Sequence, residues 1–343
     1  MKATTQRLLA IGGWALLALC AVALPYVVVS GPARLLTVMV AIYALTATSW
    51  NLTIGTAGIF NFAHMGFFGV GGYIMAIATL QWELDPWLAL VMSTIGGGVA
   101  GALCYLPVIR LRSIYIALIT FIFVQLCYHA VLALPSLTGG SNGLPGVPTL
   151  EIGDYNLGAD AGVGYLWLTG ALVFIVLLGS RLLQRTSFGM SVIALRDNEN
   201  LATARGISRV RQHLVVFTIS GAVAGLAGAI YASYFHVADV SLFSLAFVTL
   251  GLSMIFLGGI GYLFGPLIGA VVVTIIQHNL ADAGAWRPII FGVGVIVVLW
   301  IVPGGIAGLL VSARDLVRRL VSRENVVDLH DSESTRPHVR SGA

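Results

Sequence analysis

Lysine is nearly missing from this chain: Lys2 is the only one in 343 residues. A Walker A loop needs a lysine inside a glycine-rich turn to hold the β- and γ-phosphates, so the chain carries none, and any ATP it uses is hydrolysed by another chain. Charge of either sign is also scarce. Only 9% of residues are charged and 58% are hydrophobic, against roughly 25% charged in an ordinary soluble domain. Water is therefore not the solvent for most of this chain. The three cysteines, Cys20, Cys104 and Cys127, lie within apolar runs and lack CxxC spacing, which favours packing over metal or redox chemistry. HExxH and GxSxG are missing too, and His64, His129, His213, His236 and His278 are dispersed, so neither a metal site nor an enzyme constellation emerges. The net charge of +4 does not indicate nucleic acid, because the basic residues sit in short clusters between apolar runs, where orienting the chain in a membrane explains them.

What is present is a succession of apolar runs long enough to cross a bilayer, each about 20 residues. The sequence predicts an all-α integral membrane protein of about ten transmembrane helices, at 8–29, 33–54, 57–80, 86–109, 113–134, 164–183, 213–235, 246–260, 265–281 and 287–303. The segment from Leu8 to Val29 has a signal-peptide look, with Ala21 and Ala23 as a cleavage site, but its length favours a retained first helix. With the N-terminus inside, all Lys and Arg residues except Arg34 and Arg287 fall on the cytoplasmic side. That asymmetry places both termini in the cytoplasm. Residues 1–323 are read as the transmembrane domain. Residues 324–343, rich in Ser, Asp and Arg without an apolar pattern, are read as a disordered cytoplasmic tail.

No carboxylate falls in the middle of a predicted span. A carrier driven by protons or sodium usually keeps an ionisable residue inside the bilayer to couple its ion, so its absence argues for an external energy source. Two loops are longer than a helical hairpin needs. The outer one, 135–163, contains LTGGSNGLPGVP, which favours irregular backbone and a surface for an external partner. The inner one, 184–212, reads as one or two short helices, with Asn198 as N-cap and Gly206 as the stop.

Glycine interrupts two helical patterns, GTAGIFNFAHMGFFGVGGY at 55–73 and FLGGIGYLFGPLIGA at 256–270. Paired broken segments in two halves point to a translocation path, and five spans per half would make the halves an inverted repeat. Gly221 and Gly225, in GxxxG spacing, are read instead as close helix packing. Among polar residues within spans, Asn51, Asn61, His64 and Gln125 are the candidates for a path, with His278 nearer the outer end of its span. Each serves either as lining or as a hydrogen-bond partner for backbone freed by a glycine break.

The ordered blocks SWNLTIGTAGIFNFAHMGFFGVGGYIMA, LRSIYIALITFIF, LTGGSNGLPGVP, SFGMSVIALRDNENLATARGIS, FLGGIGYLFGPLIGA and WIVPGGIAGLL resemble permeases of branched-chain amino acid ABC importers, of the LivM type, over residues 45–310. The resemblance implies a multi-pass subunit of the bacterial cytoplasmic (inner) membrane. It implies pairing with a second, LivH-like permease, two cytoplasmic ATPase subunits that bind the ATP, and an external substrate-binding protein. It also implies that the chain is not itself an enzyme and holds no cofactor or metal of its own. In such importers a short cytoplasmic helix fits a groove on the ATPase, and the matching residues here are Arg196, Asp197, Asn198, Glu199, Ala202, Ala204 and Gly206. Glu199 followed by Gly206 is similar to part of the EAA loop of other importer permeases, whose later I-x-LP portion is missing. The implied substrates are branched-chain or related amino acids. The same architecture also serves urea, short amides and aromatic acids, and a solitary secondary carrier or channel is the alternative from another class.

Overall fold

The structure is a computed structural model, and it describes Ala23, Tyr26 and residues 30–111, 114–302 and 304–312. The predicted first span, apart from Ala23 and Tyr26, and the predicted tail at 324–343 lie outside the described residues.

Helices dominate. α1 (Gly31–Asn51) starts with Pro32, where the missing N–H costs nothing, and runs into a π-helical turn, Leu52–Thr56. α2 (His64–Leu80) follows a non-helical stretch. α3 (Pro86–Tyr105) is capped by Asp85, whose carboxylate accepts from the N–H of Trp87 and of Leu88. α4 is Ile114–Ala133, α5 Ala159–Arg185, α6 Ser187–Asp197, α7 Glu199–Ala204 and α8 Arg209–Phe235. α9 (Leu245–Gly258), α10 (Gly265–Asn279) and α11 (Arg287–Ile301) complete the set, and residues 305–312 are again helical.

The second to tenth predicted spans each fall on one of these helices. Six helices among the described residues are long and apolar enough to cross a membrane: Gly31–Thr56, Pro86–Val108, Ile114–Ala133, Gly162–Arg185, Arg209–Phe235 and Arg287–Ser312. The chain is a multi-pass membrane protein. α2, α9 and α10 are apolar but short, at 17, 14 and 15 residues. Their shortness has one physical source: each abuts a glycine-bearing break. The predicted third span at 57–80 is helical only from His64, because Gly58 takes a φ of +69° and residues 57–63 unwind. Such backbone is tolerated at membrane depth where protein buries it or it lines a cavity: Ala57, Ile59, Asn61 and Ala63 are buried, while Gly58 and Phe60 are exposed and line a cavity.

The centre of the molecule is a glycine-lined stack of α2, α3 and α8. A Cβ on Gly97 would lie 2.5 Å from the Gly221 carbonyl oxygen, and one on Gly225 would lie 2.6 Å from that of Ser93. Only hydrogen fits between these backbones, so the GxxxG glycines serve packing, as the sequence indicates. Around the stack lie large buried rings, among them Trp50, Phe68, Phe217 and Phe243.

The two ends of the bundle differ. At one end sit α6, α7 and the start of α8. At the other, residues 135–157 fold over the end of α8. There Leu144–Pro145 (β1) pairs antiparallel with Val237–Ala238 (β4), and Glu151–Ile152 (β2) with Tyr155–Asn156 (β3). The Tyr165 hydroxyl accepts from the Leu150 N–H at 3.0 Å and meets the Ser233 hydroxyl at 2.7 Å. The Ser233 hydroxyl in turn lies 2.8 Å from the Pro148 carbonyl. The glycine- and proline-rich segment is thus largely irregular, and it is docked through buried Val147, Leu150 and Leu157.

Candidate functional site

The break after α1 is the most polar part of the buried interior. Asn51 is its anchor: the side-chain oxygen accepts from the Gly261 N–H at 2.9 Å and the amide donates to the Tyr262 carbonyl at 3.1 Å. The two glycine-broken segments, more than 200 residues apart in sequence, therefore touch. Gly55 makes the contact possible, since a Cβ there would strike the Asn51 side chain and lie 2.7 Å from the Gly261 nitrogen.

A second set of bonds closes the break on itself. The Thr53 hydroxyl donates to the Trp50 carbonyl at 2.8 Å and accepts from the Asn61 amide at 2.9 Å. The Trp50 indole N–H donates to the Asn61 carbonyl at 2.9 Å. With its amide nitrogen committed to Thr53, Asn61 turns its oxygen to His64 Nδ1 at 3.1 Å, which requires the imidazole proton on Nδ1. The His64 ring stacks on Trp50 with centroids 5.3 Å apart. Asn61 and His64 are fully buried. Three of the four predicted path residues, Asn51, Asn61 and His64, thus converge on this break. Gln125 does not join them: it is half-buried on α4 and shares no hydrogen bond with the other three.

The loop between α5 and α8 grips the same break. Thr186 caps α6, accepting from the Gly189 N–H at 3.2 Å. Asn198 caps α7, accepting from the Leu201 N–H at 3.0 Å. α7 ends in a Schellman arrangement, with Gly206 N–H donating to Thr203 O at 2.9 Å and Ile207 N–H to Ala202 O at 3.1 Å. Gly206 has a φ of +86°, so the cap and stop read from the sequence are both in place. Arg196 reaches from the end of α6 into the membrane domain. Its Nη1 donates to the Gly55 carbonyl at 2.9 Å, while Nε and Nη2 bond Asp197 at 3.0 and 2.9 Å. Gln184 adds a second tie, its amide donating to the Thr56 hydroxyl at 3.0 Å. Arg209 locks the return: it pairs with Glu199 at 3.3 Å and donates to the Leu111 carbonyl at 2.6 Å. Ala202 is buried beneath α7 and Ala204 is exposed. Met190 and Leu201 stand out as exposed apolar side chains on these short helices.

Between the loop and the break lies a cavity of about 860 Å³, walled by Gly58, Phe60 and Phe62 from the break, Ile116 from α4, and Arg196 and Asn198 from the loop. Arg196 at the end of α6 is thus tied to the Gly55 carbonyl, and Gln184 at the end of α5 to the Thr56 hydroxyl, both in the π-helical turn that follows α1, while Asn51 joins the same region to the second break. Sequence reasoning finds both the loop and the breaks but not their junction. Arg196 and Gly55 are 141 positions apart, and Gln184, Thr56, Trp50 and Arg209 carry no local signature of their partners.

Comparison with known proteins agrees with this geometry. Residues 33–302 match the family described as branched-chain amino acid transport system/permease component. The chain is 29% identical over 303 residues to the high-affinity branched-chain amino acid transport system permease protein LivM of Salmonella typhimurium, covering 82% of this chain and 71% of that protein. It is 28% identical to LivM of Escherichia coli K12 with the same coverage. The corresponding LivH permease of Escherichia coli K12 is 26% identical, over 78% of this chain and 91% of that one. No solved structure matches. A family match across most of its length, on a multi-helix membrane bundle, means that this chain belongs to the branched-chain amino acid transport permeases.

Proposed function

We propose that the chain is the membrane-spanning permease subunit of an ABC importer in a bacterial cytoplasmic membrane, moving branched-chain or related amino acids delivered by an external binding protein. ATP is bound and hydrolysed on two cytoplasmic ATPase subunits, and a second, LivH-like permease completes the path. Ten spans with both termini cytoplasmic put α6 and α7 on the ATPase side, where basic residues cluster, and residues 135–157 on the side of the binding protein.

The observation that carries this reading is the bond from Arg196 to the Gly55 carbonyl. It joins a compact helical loop of the kind an ATPase can grip to the π-helical turn that ends just before the unwound residues 57–63. Exposed Met190 and Leu201 supply apolar contacts for a groove on the ATPase. When the ATPase dimer closes, α6 and α7 tilt, the π-helical turn follows, and the Asn51 clamp transmits the movement to the break before α10. This is a two-state element biased by a partner, with the switch at the breaks rather than in the glycine-packed stack.

The test is gentle solubilisation of the tagged chain from its native membrane and identification of co-purifying proteins by mass spectrometry. Recovery of a second permease and ATPase subunits, with the ATPases lost when residues 196–206 are altered, is the expected result. Isolation of the chain alone under several mild detergents contradicts it.

A further inference from the structure

The end of the bundle opposite the loop holds a second cavity, of about 620 Å³, enclosed by α1, the start of α9, α10 and the start of α11. Several polar side chains line it, Arg287, Gln277 and Thr274 among them. Arg287, the first residue of α11, donates from Nε to the Gln277 side-chain oxygen on α10 at 2.7 Å. That bond fixes one edge of the guanidinium and leaves both Nη groups without a partner among the described residues. Thr274 lies one helical turn deeper on α10. It is 3% exposed, and its hydroxyl makes no hydrogen bond. A buried hydroxyl without a partner is uncommon and costly unless a ligand or water meets it. Tyr43 of α1 also lines the cavity, and Phe247 and Phe291 are part of its apolar wall.

We propose that this cavity is a binding site for the carboxylate of a small apolar acid, with Arg287 as the anion fork and Thr274 as a hydroxyl donor. The inference rests on the permease reading above and narrows its substrate class. An arginine held at Nε presents its remaining N–H groups in the geometry that a carboxylate accepts in pairs. The surrounding aliphatic and aromatic surface takes up a hydrocarbon side chain. Among the described residues no Asp or Glu lines the cavity, so the acid end, not an ammonium, is what the site reads. Urea or a short amide offers a neutral carbonyl oxygen that accepts from the guanidinium but gives neither the counter-charge nor the paired oxygens of a carboxylate. The position suits a first station for a substrate arriving from outside, since Arg287 is one of only two basic residues assigned to that face.

The experiment uses the complete complex of both permeases, ATPases and binding protein in proteoliposomes, with L-leucine, L-phenylalanine, urea and acetamide as probes. Because the binding protein is the same throughout, its selectivity cancels between variants. R287Q is expected to lower uptake of the amino acid probes at least tenfold while ATPase stimulation by the loaded binding protein persists, and R287K is expected to fall between. T274V, which is nearly isosteric, is expected to raise the apparent KM several-fold with little change in maximal rate, and it serves as the test if R287Q fails to assemble. Uptake of leucine or phenylalanine by R287Q at wild-type rate and KM, or an unchanged KM in T274V, overturns the proposal while leaving the permease reading intact. Wild-type uptake confined to urea or acetamide overturns the amino acid reading and the proposal together.

Discussion

Replacing Gly206 tests the loop quantitatively. Its φ of +86° lies in the left-handed region, and nothing stands within 4 Å of where a Cβ would be. A substitution there therefore costs backbone strain without a steric clash. Left-handed backbone costs an ordinary L-residue about 1–2 kcal/mol, and a β-branched residue lies at the upper end of about 1–3 kcal/mol. Asparagine tolerates the conformation better. α7 has only six residues, too few to be stable alone, so its two C-terminal hydrogen bonds are a large share of its local stability. A shift of about 2 kcal/mol moves the balance between capped and frayed loop about 30-fold, given about tenfold per 1.4 kcal/mol. G206V is expected to insert in the membrane at wild-type levels, by immunoblot of membrane fractions, yet to import substrate at a small fraction of the wild-type rate per ATP hydrolysed. G206A is intermediate and G206N closest to wild type. Normal transport in G206V, or equal loss in all three, refutes the claim that this backbone conformation matters for coupling.

At the junction itself, R196Q removes a charge-assisted bond of about 1.5–3 kcal/mol before allowance for its partial exposure, so uptake should drop with ATPase activity retained. D197N, by contrast, disturbs only an exposed pair, of about 0–1 kcal/mol, and should transport nearly normally. N51A removes the bonds to the Gly261 N–H and the Tyr262 carbonyl, which are part-buried, at about 0.5–1.5 kcal/mol for each bond, and a drop in thermal unfolding temperature in detergent is expected. G97A pushes a methyl group against the Gly221 backbone, an overpacking change of about 1–3 kcal/mol or more. G292A, in α11 where nothing lies within 4 Å, should leave the unfolding temperature unchanged or slightly raised. If G97A melts no earlier than G292A, the glycine stack is not close-packed.

The bundle is legible in the sequence because lipid imposes one strong requirement, about 20 apolar residues per crossing, which six of the described helices meet, while α2, α9 and α10 fall short of it beside their glycine-bearing breaks. The ends of the loop helices were legible for a local reason: Asn198 and Gly206 act within three or four residues of themselves. The third span was less so. TAGIFNFAHM is as apolar as a helix, and only the positive φ at Gly58 and the bonds among Trp50, Thr53, Asn61 and His64 hold it unwound. Those partners are set by tertiary contact, as is the reach of Arg196 to Gly55. Asn51, Asn61 and His64 are legible as a polar cluster, but the sequence leaves lining and packing equally open for Asn61 and His64 and favours packing for Asn51 alone. Asn51 and Asn61 spend their side chains on protein partners and His64 does so through Nδ1, whereas Arg287 and Thr274 line a cavity and carry no motif to mark them. Arg287 was read only as an outer charge, and Thr274 lies in an otherwise ordinary apolar helix.

The central claim is that substrate movement through this chain is driven by ATP hydrolysis on partner subunits acting through residues 184–212. Its most direct test is uptake of L-leucine into proteoliposomes holding the complete complex, with ATP supplied on the ATPase side and ionophores present to collapse every ion gradient. The account predicts uptake that requires ATP and the binding protein, persists with ionophores, and is lost in R196Q. Uptake by the chain alone, driven by an imposed ion gradient and indifferent to ATP, contradicts it.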